Sequence, residues 1–287
     1  MSIYTTANLA GSAGKTTTSV SLAVLLAARG VRVRLIDLDP QANSSRWTGY
    51  ADPGDSPTIA DVLAESATIA DAERPARIPA YLEDDGTIEF DDTSIIENLT
   101  VVPAIRSSLD EFVARLPVIR GGVTRLRRAL TDAATADVTL IDAPGSSNAL
   151  TLSAILATQA FPDVDDTSGV ITCTLAQPKE IEGIADLQAE IAGINEERNT
   201  TCQLRGIVVC SVPANRARLY GENIDDLTAG YGELVAPSVR HSVTVPEAYS
   251  FYTPVPLYGR ARRVTEDYAD VLDHFIKTGL FPEARTA

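Results

Sequence analysis

The chain has 287 residues, 45% of them hydrophobic and 22% charged, with a formal net charge of −15. This balance suits a globular protein with one large core or two smaller ones, and it speaks against wrapping nucleic acid with the whole surface, because each phosphate contact needs a local lysine or arginine. No apolar run approaches the ~18 residues of a membrane span; the start of the chain shows no basic leader or cleavage pattern, so export is not expected; and the cysteines, Cys173, Cys202 and Cys210, lack metal-ligand spacing and read as buried thiols in a reducing compartment.

The apolar run from Ile3 to Ala7 predicts a strand, and a helix-like run reaches Arg29. Between them lies Ala10-Gly11-Ser12-Ala13-Gly14-Lys15-Thr16-Thr17. A glycine-bearing turn lets backbone N–H groups point at phosphate oxygens, the following helix start favours anions, and Lys15 with Thr16 supplies a phosphate contact and a magnesium ligand. The common spacing places a glycine six residues before the lysine, and here that position is Leu9. The competing reading is a surface turn, but a lysine at a helix N-terminus faces the positive end of the dipole, a conflict of ~0.3–1 kcal/mol unless an anion sits there.

After Gly30, Val31 to Asp39 predicts a mostly apolar strand ending in Asp37-Leu38-Asp39-Pro40-Gln41. Val138-Thr139-Leu140-Ile141-Asp142 repeats the pattern, an apolar strand that delivers a carboxylate before Ala143-Pro144-Gly145. Leu99 to Val102, Gly169 to Leu175 and Gly206 to Cys210 are further strand candidates, and helices alternate with them. The reading is an α/β chain, one doubly wound, mainly parallel sheet over residues 1–287, with loop insertions near 80–92 and 161–168. In such sheets ligands bind at the C-terminal edge of the strands, where these carboxylates sit.

Gly14-Lys15-Thr16-Thr17, Leu35 to Asn43 and Leu140 to Pro144 resemble the ParA/MinD family of P-loop ATPases, the deviant Walker A type, and the aspartate-proline-glutamine string favours ParA. Thr58 to Leu63, Asn98 to Ala104 and Val245 to Ala248 also resemble partition-ATPase segments in the expected order, so the likeness covers nearly the whole chain. The resemblance implies ATP and Mg2+ as cofactors. It places Gly11, Ser12, Ala13 and Gly14 in the phosphate cradle with Thr17, Lys15 on the β- and γ-phosphates, Thr16 on magnesium, Asp37 and Asp142 on the magnesium hydration shell, and Asp39 on the attacking water.

One position departs from the family. Ala10 stands where these ATPases carry a signature lysine that reaches the partner's nucleotide, and losing one such donor costs about 2.7–4 kcal/mol of transition-state stabilisation. Carboxysome-positioning, McdA-like members resemble this chain in lacking that lysine and use one from the second half. The chain has three lysines, and Lys179, after the strand Gly169 to Leu175 and at the start of a helix running toward Ile194, is the candidate replacement. The alternative is a solvated lysine near Glu180 and Glu182.

Arginines group at Arg120 to Arg128, at Arg216 and Arg218, and at Arg260, Arg262 and Arg263, three patches expected to line one face of a dimer. The family resemblance implies nonspecific DNA binding through the second half, with the last cluster favoured; the alternative is helix-start arginines paired with Glu266 and Asp267. A MinD-like membrane helix is not expected, because Val264 to Lys277 carries Glu266, Asp267, Asp270 and Asp273 beside its apolar stripe. The resulting expectation is a cytoplasmic, nucleoid-associated ATPase. It forms a homodimer with ATP, binds DNA in that state, and segregates plasmid or chromosomal DNA with a ParB-like centromere-binding protein. The alternatives are a protein cargo reached through an adaptor, or a nucleotide-gated dimer or filament with negligible hydrolysis. A metal-cluster carrier is disfavoured because no Cys-x-x-Cys occurs.

Overall fold

The computed structural model describes residues 1–9, 13–79, 81–82, 88–89, 94–133, 136–159, 167–214 and 218–283. Its strands are β1 (Ser2–Thr6), β2 (Val33–Asp37), β3 (Arg74–Arg77), β4 (Tyr81–Leu82), β5 (Ile88–Glu89), β6 (Ile95–Val102), β7 (Val138–Asp142), β8 (Gly169–Leu175) and β9 (Leu204–Cys210). Its helices are α1 (Lys15–Ala28), α2 (Asn43–Trp47), α3 (Ile59–Ala64), α4 (Ile69–Ala72), α5 (Arg106–Arg115), α6 (Arg125–Thr131), α7 (Ala149–Ala157), α8 (Pro178–Arg198), α9 (Arg218–Tyr231), α10 (Thr244–Ser250) and α11 (Arg262–Lys277).

Seven strands form one sheet in the order β3-β6-β2-β7-β1-β8-β9, and every pair is parallel except β3 with β6 at the edge. The α/β doubly wound expectation therefore holds, with an antiparallel edge strand added. That strand carries Pro75, whose missing N–H is tolerated at an edge. The expected insertion near 80–92 lies mostly outside the described residues, apart from the β4–β5 pair, and most of 161–168 does too.

Alternation along each strand divides the core between two faces. Tyr4, Leu35, Val101 and Leu140 pack with α1 and α11, whereas Ile3, Ile36, Val102 and Ile141 pack with α3, α5, α6 and α7. In α11, Val264, Tyr268, Val271, Leu272 and Phe275 recur at helical spacing and are buried, and Glu266, Asp270 and Asp273 lie off that stripe. Full burial of each large apolar side chain is worth roughly 1.5–3 kcal/mol, so the stripe is core packing, as its acidic neighbours imply. Among the described residues, no helix is long and apolar enough to cross a membrane.

Helix ends follow local chemistry. Thr58 with Asp61 and Thr68 with Asp71 form capping boxes on α3 and α4. Asn148 accepts from the amides of Leu150 and Thr151 at 2.8 and 3.1 Å and starts α7 beside the C-terminal edge of the sheet. Among the described residues α1 has no such cap.

Candidate nucleotide-binding site

β1, which lies between β7 and β8, ends at Thr6, and α1 begins at Lys15. Gly14 immediately precedes the helix at φ +86°, a region that strains side chains, and a Cβ there would lie 3.0 Å from Sγ of Cys210. The opening amides of α1 have no intrahelical acceptor, no side chain among the described residues caps them, and the first turn holds no acidic residue. Lys15 is buried, and its Nζ donates to Oδ1 of Asn8 at 2.8 Å; Asn8 is anchored in turn on the carbonyl of Cys173. A buried ammonium held by a neutral amide at the positive end of a helix is a site shaped for an anion. Ala13 is buried beneath it, Thr16 and Thr17 are half-buried, and Gly11 and Ser12, with Ala10, lie outside the described residues.

Parallel register brings the carboxylates together. Asp37 pairs with Asp142 across β2 and β7, and Thr6 pairs with Asp142 across β1 and β7, so three strand ends lie level. Asp142 accepts from Oγ of Ser44 at 2.7 Å and from the Thr16 hydroxyl, with Ser19 at 3.4 Å. Asp37 accepts from N and Oγ of Ser45 at 2.7 and 2.6 Å through one oxygen and from the Asp39 amide at 3.2 Å through the other. Both carboxylates are fully buried. Burial, followed by the nearby charge of Asp142, pushes Asp37 up to about 7. Burial pushes Asp142 up to about 6 against the hydrogen bonds from Ser44 and Thr16. Two buried anions side by side are costly without a cation, which is the setting a divalent metal relieves.

Asp39 stands at the cleft itself, with Oδ1 accepting the Gln41 amide at 2.9 Å and its second oxygen uncommitted by that turn. The cleft measures about 590 Å³ and is lined by Lys15, Thr16, Asp39, Asp110, Gly145 and Asn148, among others. The residues present therefore fit a magnesium-bound nucleotide triphosphate: a cationic helix start, a hydroxyl tied to a carboxylate, and a free acidic group opposite. Among the described residues, no cluster of three or more His, Cys, Asp or Glu side chains could hold a metal ion unaided, so such an ion would need the phosphates and water as further ligands.

Residues 1–204 match the family model described as "AAA domain". Over 260 residues the chain is 30% identical to the chromosome partitioning protein ParA of Caulobacter vibrioides, covering 88% of this chain and 85% of that protein. The chain belongs to the ParA/MinD family of partition-type ATPases. It is also 27% identical to the sporulation initiation inhibitor protein Soj of Bacillus subtilis over 274 residues, 95% of this chain and 97% of Soj. Its fold matches a Cyanothece McdA–ATP complex with a TM-score of 0.73 at 19% identity, over 95% of this chain and 96% of that one.

Other residues expected at this ParA-family site fall outside the cleft. Lys179 is exposed in the first turn of α8, does not line the cleft of its own protomer, and pairs with neither Glu180 nor Glu182 among the described residues. Arg260, Arg262 and Arg263 are exposed at the start of α11, beside a separate cleft of about 740 Å³ that also includes Arg240, His241 and Asp267. That cleft is larger, but it contains none of the P-loop residues or Asp39. Arg262 pairs with Glu266 at 2.9 Å, as the helix-start alternative expects, whereas Asp267 pairs with Arg240. Arg218 is exposed and pairs with Glu222, and Arg216 lies outside the described residues. Within one protomer the first and last arginine groups lie in different layers. Arg125 and Arg128, on α6, pair with Glu65 at the end of α3, in the layer across the sheet from α11, because Leu126 and Leu130 on the same helix face the opposite core.

Sequence reasoning missed Ser44, Ser45 and Asn8, which hold Asp142, Asp37 and Lys15. The available signal was Asn43-Ser44-Ser45, a run of short polar side chains directly after the aspartate-proline-glutamine string.

Proposed function

We propose that the protein hydrolyses ATP slowly, dimerises around it, binds duplex DNA without sequence preference in that state, and leaves DNA when a partner stimulates hydrolysis. The observation that carries this reading is the convergence of Lys15, Thr16 and Asp39 on one cleft at the C-terminal edge of the sheet, with Asp142 buried behind the Thr16 hydroxyl. Magnesium ATP supplies the transferable phosphoryl group and part of the charge neutralisation. Lys15 and the α1 amides bind the phosphates, with Gly11, Ser12, Ala13, Gly14 and Thr17 forming the cradle, and the Thr16 hydroxyl, fixed by Asp142, faces the metal. Asp37 acts through α2: its grip on Ser45, together with that of Asp142 on Ser44, sets the loop from which Asp39 orients a water.

Lys179, exposed and unpaired among the described residues, takes the place of the absent signature lysine by reaching the partner protomer's nucleotide. Arg260, Arg262 and Arg263, with Arg216 and Arg218, supply the phosphate contacts. The cargo is plasmid or chromosomal DNA through a ParB-like protein, in the cytoplasm and on the nucleoid. Ala10 favours a second reading, a nucleotide-gated dimer with negligible turnover, acting on DNA or on a protein cargo through an adaptor.

The test is binding to random-sequence duplex DNA with ATP, with ADP and with no nucleotide, at two salt concentrations. ATP-dependent, salt-sensitive binding is expected. Absent or nucleotide-independent binding by protein that holds ATP would remove the DNA part of the reading. Turnover that stays negligible with DNA and partner would select the switch.

A further inference from the structure

One side chain ties the catalytic loop to the C-terminal half. Arg46, in α2, lies over the ring of Tyr252 at 4.2 Å and that of Tyr249 at 5.1 Å, and its NH2 donates to the Tyr252 hydroxyl at 2.7 Å. Nε of Arg46 is buried and has no partner among the described residues, so the two rings and one hydroxyl hold the head group. Tyr249 donates to Oδ1 of Asn43 at 2.7 Å and packs edge-on against Trp47 at 5.4 Å, gripping the same short helix at both ends.

Tyr252 sits at φ +54°, a left-handed conformation that a bulky side chain adopts only when its surroundings enforce it. That conformation closes α10, with the Tyr252 amide donating to the Tyr249 carbonyl at 3.1 Å and the Thr253 amide to the Ala248 carbonyl at 3.0 Å, so the turn that ends the helix is also what brings the Tyr252 ring to Arg46. From Tyr252 the contacts continue along the chain. Phe251 stacks on Tyr258 with centroids 5.9 Å apart, and the Tyr258 carbonyl accepts the Ala261 amide, one residue before Arg262. On the other side, α2 holds Asp142 and Asp37 through Ser44 and Ser45 and follows directly on Asp39.

We propose that Arg46 clamped between Tyr249 and Tyr252 is a positioning device that transmits nucleotide state from the Asp39–Asn43 loop to the arginine cluster at 260–263. The proposal rests on the nucleotide-binding reading above. A contiguous chain of packed groups becomes a coupling path only if both ends bias it, which makes the link measurable.

Tyr252→Gly is the decisive variant, because it removes the ring and hydroxyl while glycine accepts the left-handed backbone, so a purely structural role predicts lower stability with both nucleotide responses of the folded protein intact. Amide hydrogen exchange is followed on the full-length protein with and without magnesium ATP. In the wild type, nucleotide slows exchange in residues 39–48 and in residues 249–263. In Tyr252→Gly the first response persists and the second shrinks by about tenfold, and Tyr252→Phe, which keeps the ring, falls between. The ratio of DNA affinities with ATP and ADP falls by a similar factor. An unchanged second response in Tyr252→Gly, or a wild-type response confined to 39–48, overturns the clamp and leaves nucleotide binding standing. No response in either segment overturns the nucleotide reading and the clamp with it.

Discussion

Replacing Asp142 with asparagine tests the central electrostatic claim, that the nucleotide-free site holds strained carboxylates. Both Asp37 and Asp142 have folded-state values above the ordinary carboxylate value of 3.8, at about 7 and about 6. For an acid raised on folding, the folded chain binds more protons than the unfolded chain between the two values. Stability therefore falls as pH rises through that window and recovers on acidification. Summed over the two groups, titration from pH 8 to pH 5.5 is worth roughly 3 kcal/mol to the folded state. The asparagine of Asp142→Asn keeps the side-chain shape, and the Ser44 and Thr16 hydroxyls can rotate to meet an amide. The variant removes one charge and the repulsion it places on Asp37. Urea melts in EDTA at pH 5.5, 6.5 and 8 should show the wild type gaining about twice as much on acidification as Asp142→Asn, with the nucleotide-free variant the more stable at pH 8 by roughly 1–3 kcal/mol. Equal gains in the two proteins, or a wild type that loses stability relative to the variant as pH falls, would refute the reasoning.

Gly14→Ala should cost about 2–4 kcal/mol, from the left-handed backbone and from crowding against Cys210, and should abolish the rise in melting temperature with magnesium ATP. A folded variant that still responds fully to nucleotide would mean the cradle does not depend on that backbone. Glu73→Gln takes the counter-charge from the guanidinium of Arg34, fully buried on β2 and paired with Glu73 at 2.8 Å, and should cost about 3–5 kcal/mol by denaturant titration. A loss below about 1 kcal/mol would show that the pair is water-penetrated. Lys179→Ala should leave monomer stability within about 0.5 kcal/mol, because the side chain is exposed, while sharply lowering ATP-dependent dimer formation and turnover in sedimentation and phosphate-release assays. Unaltered dimerisation and turnover would return Lys179 to a solvated role.

Strands whose apolar run matched their length were legible, β7 and β8 above all, because a buried parallel strand is apolar on both faces. β6 begins at Ile95, earlier than the expected Leu99, since Glu97 and Asn98 break the apolar run after Ile95 and Ile96, and Ile95 joins the sheet by pairing with Arg77 of β3. The strand expected to reach Asp39 stops at Asp37, where the chain turns so that α2 can return over the carboxylates.

The local sequence, by itself, determined that a strand, a glycine turn and a lysine-headed helix would follow one another, and that two further strands would end in aspartate. Those are short-range facts of pattern and backbone freedom. Which strand ends lie side by side is a matter of register between segments about a hundred residues apart, and only the closed sheet decided that Thr6, Asp37 and Asp142 stand level. The same closure recruited Ser44, Ser45 and Asn8 to buried charges, put the Arg125 and Arg262 groups in opposite layers, and carried Tyr249 and Tyr252 across the molecule to Arg46. A polar side chain has no partner legible in its neighbours, because the desolvation that obliges it to find one arises only when the chain is packed.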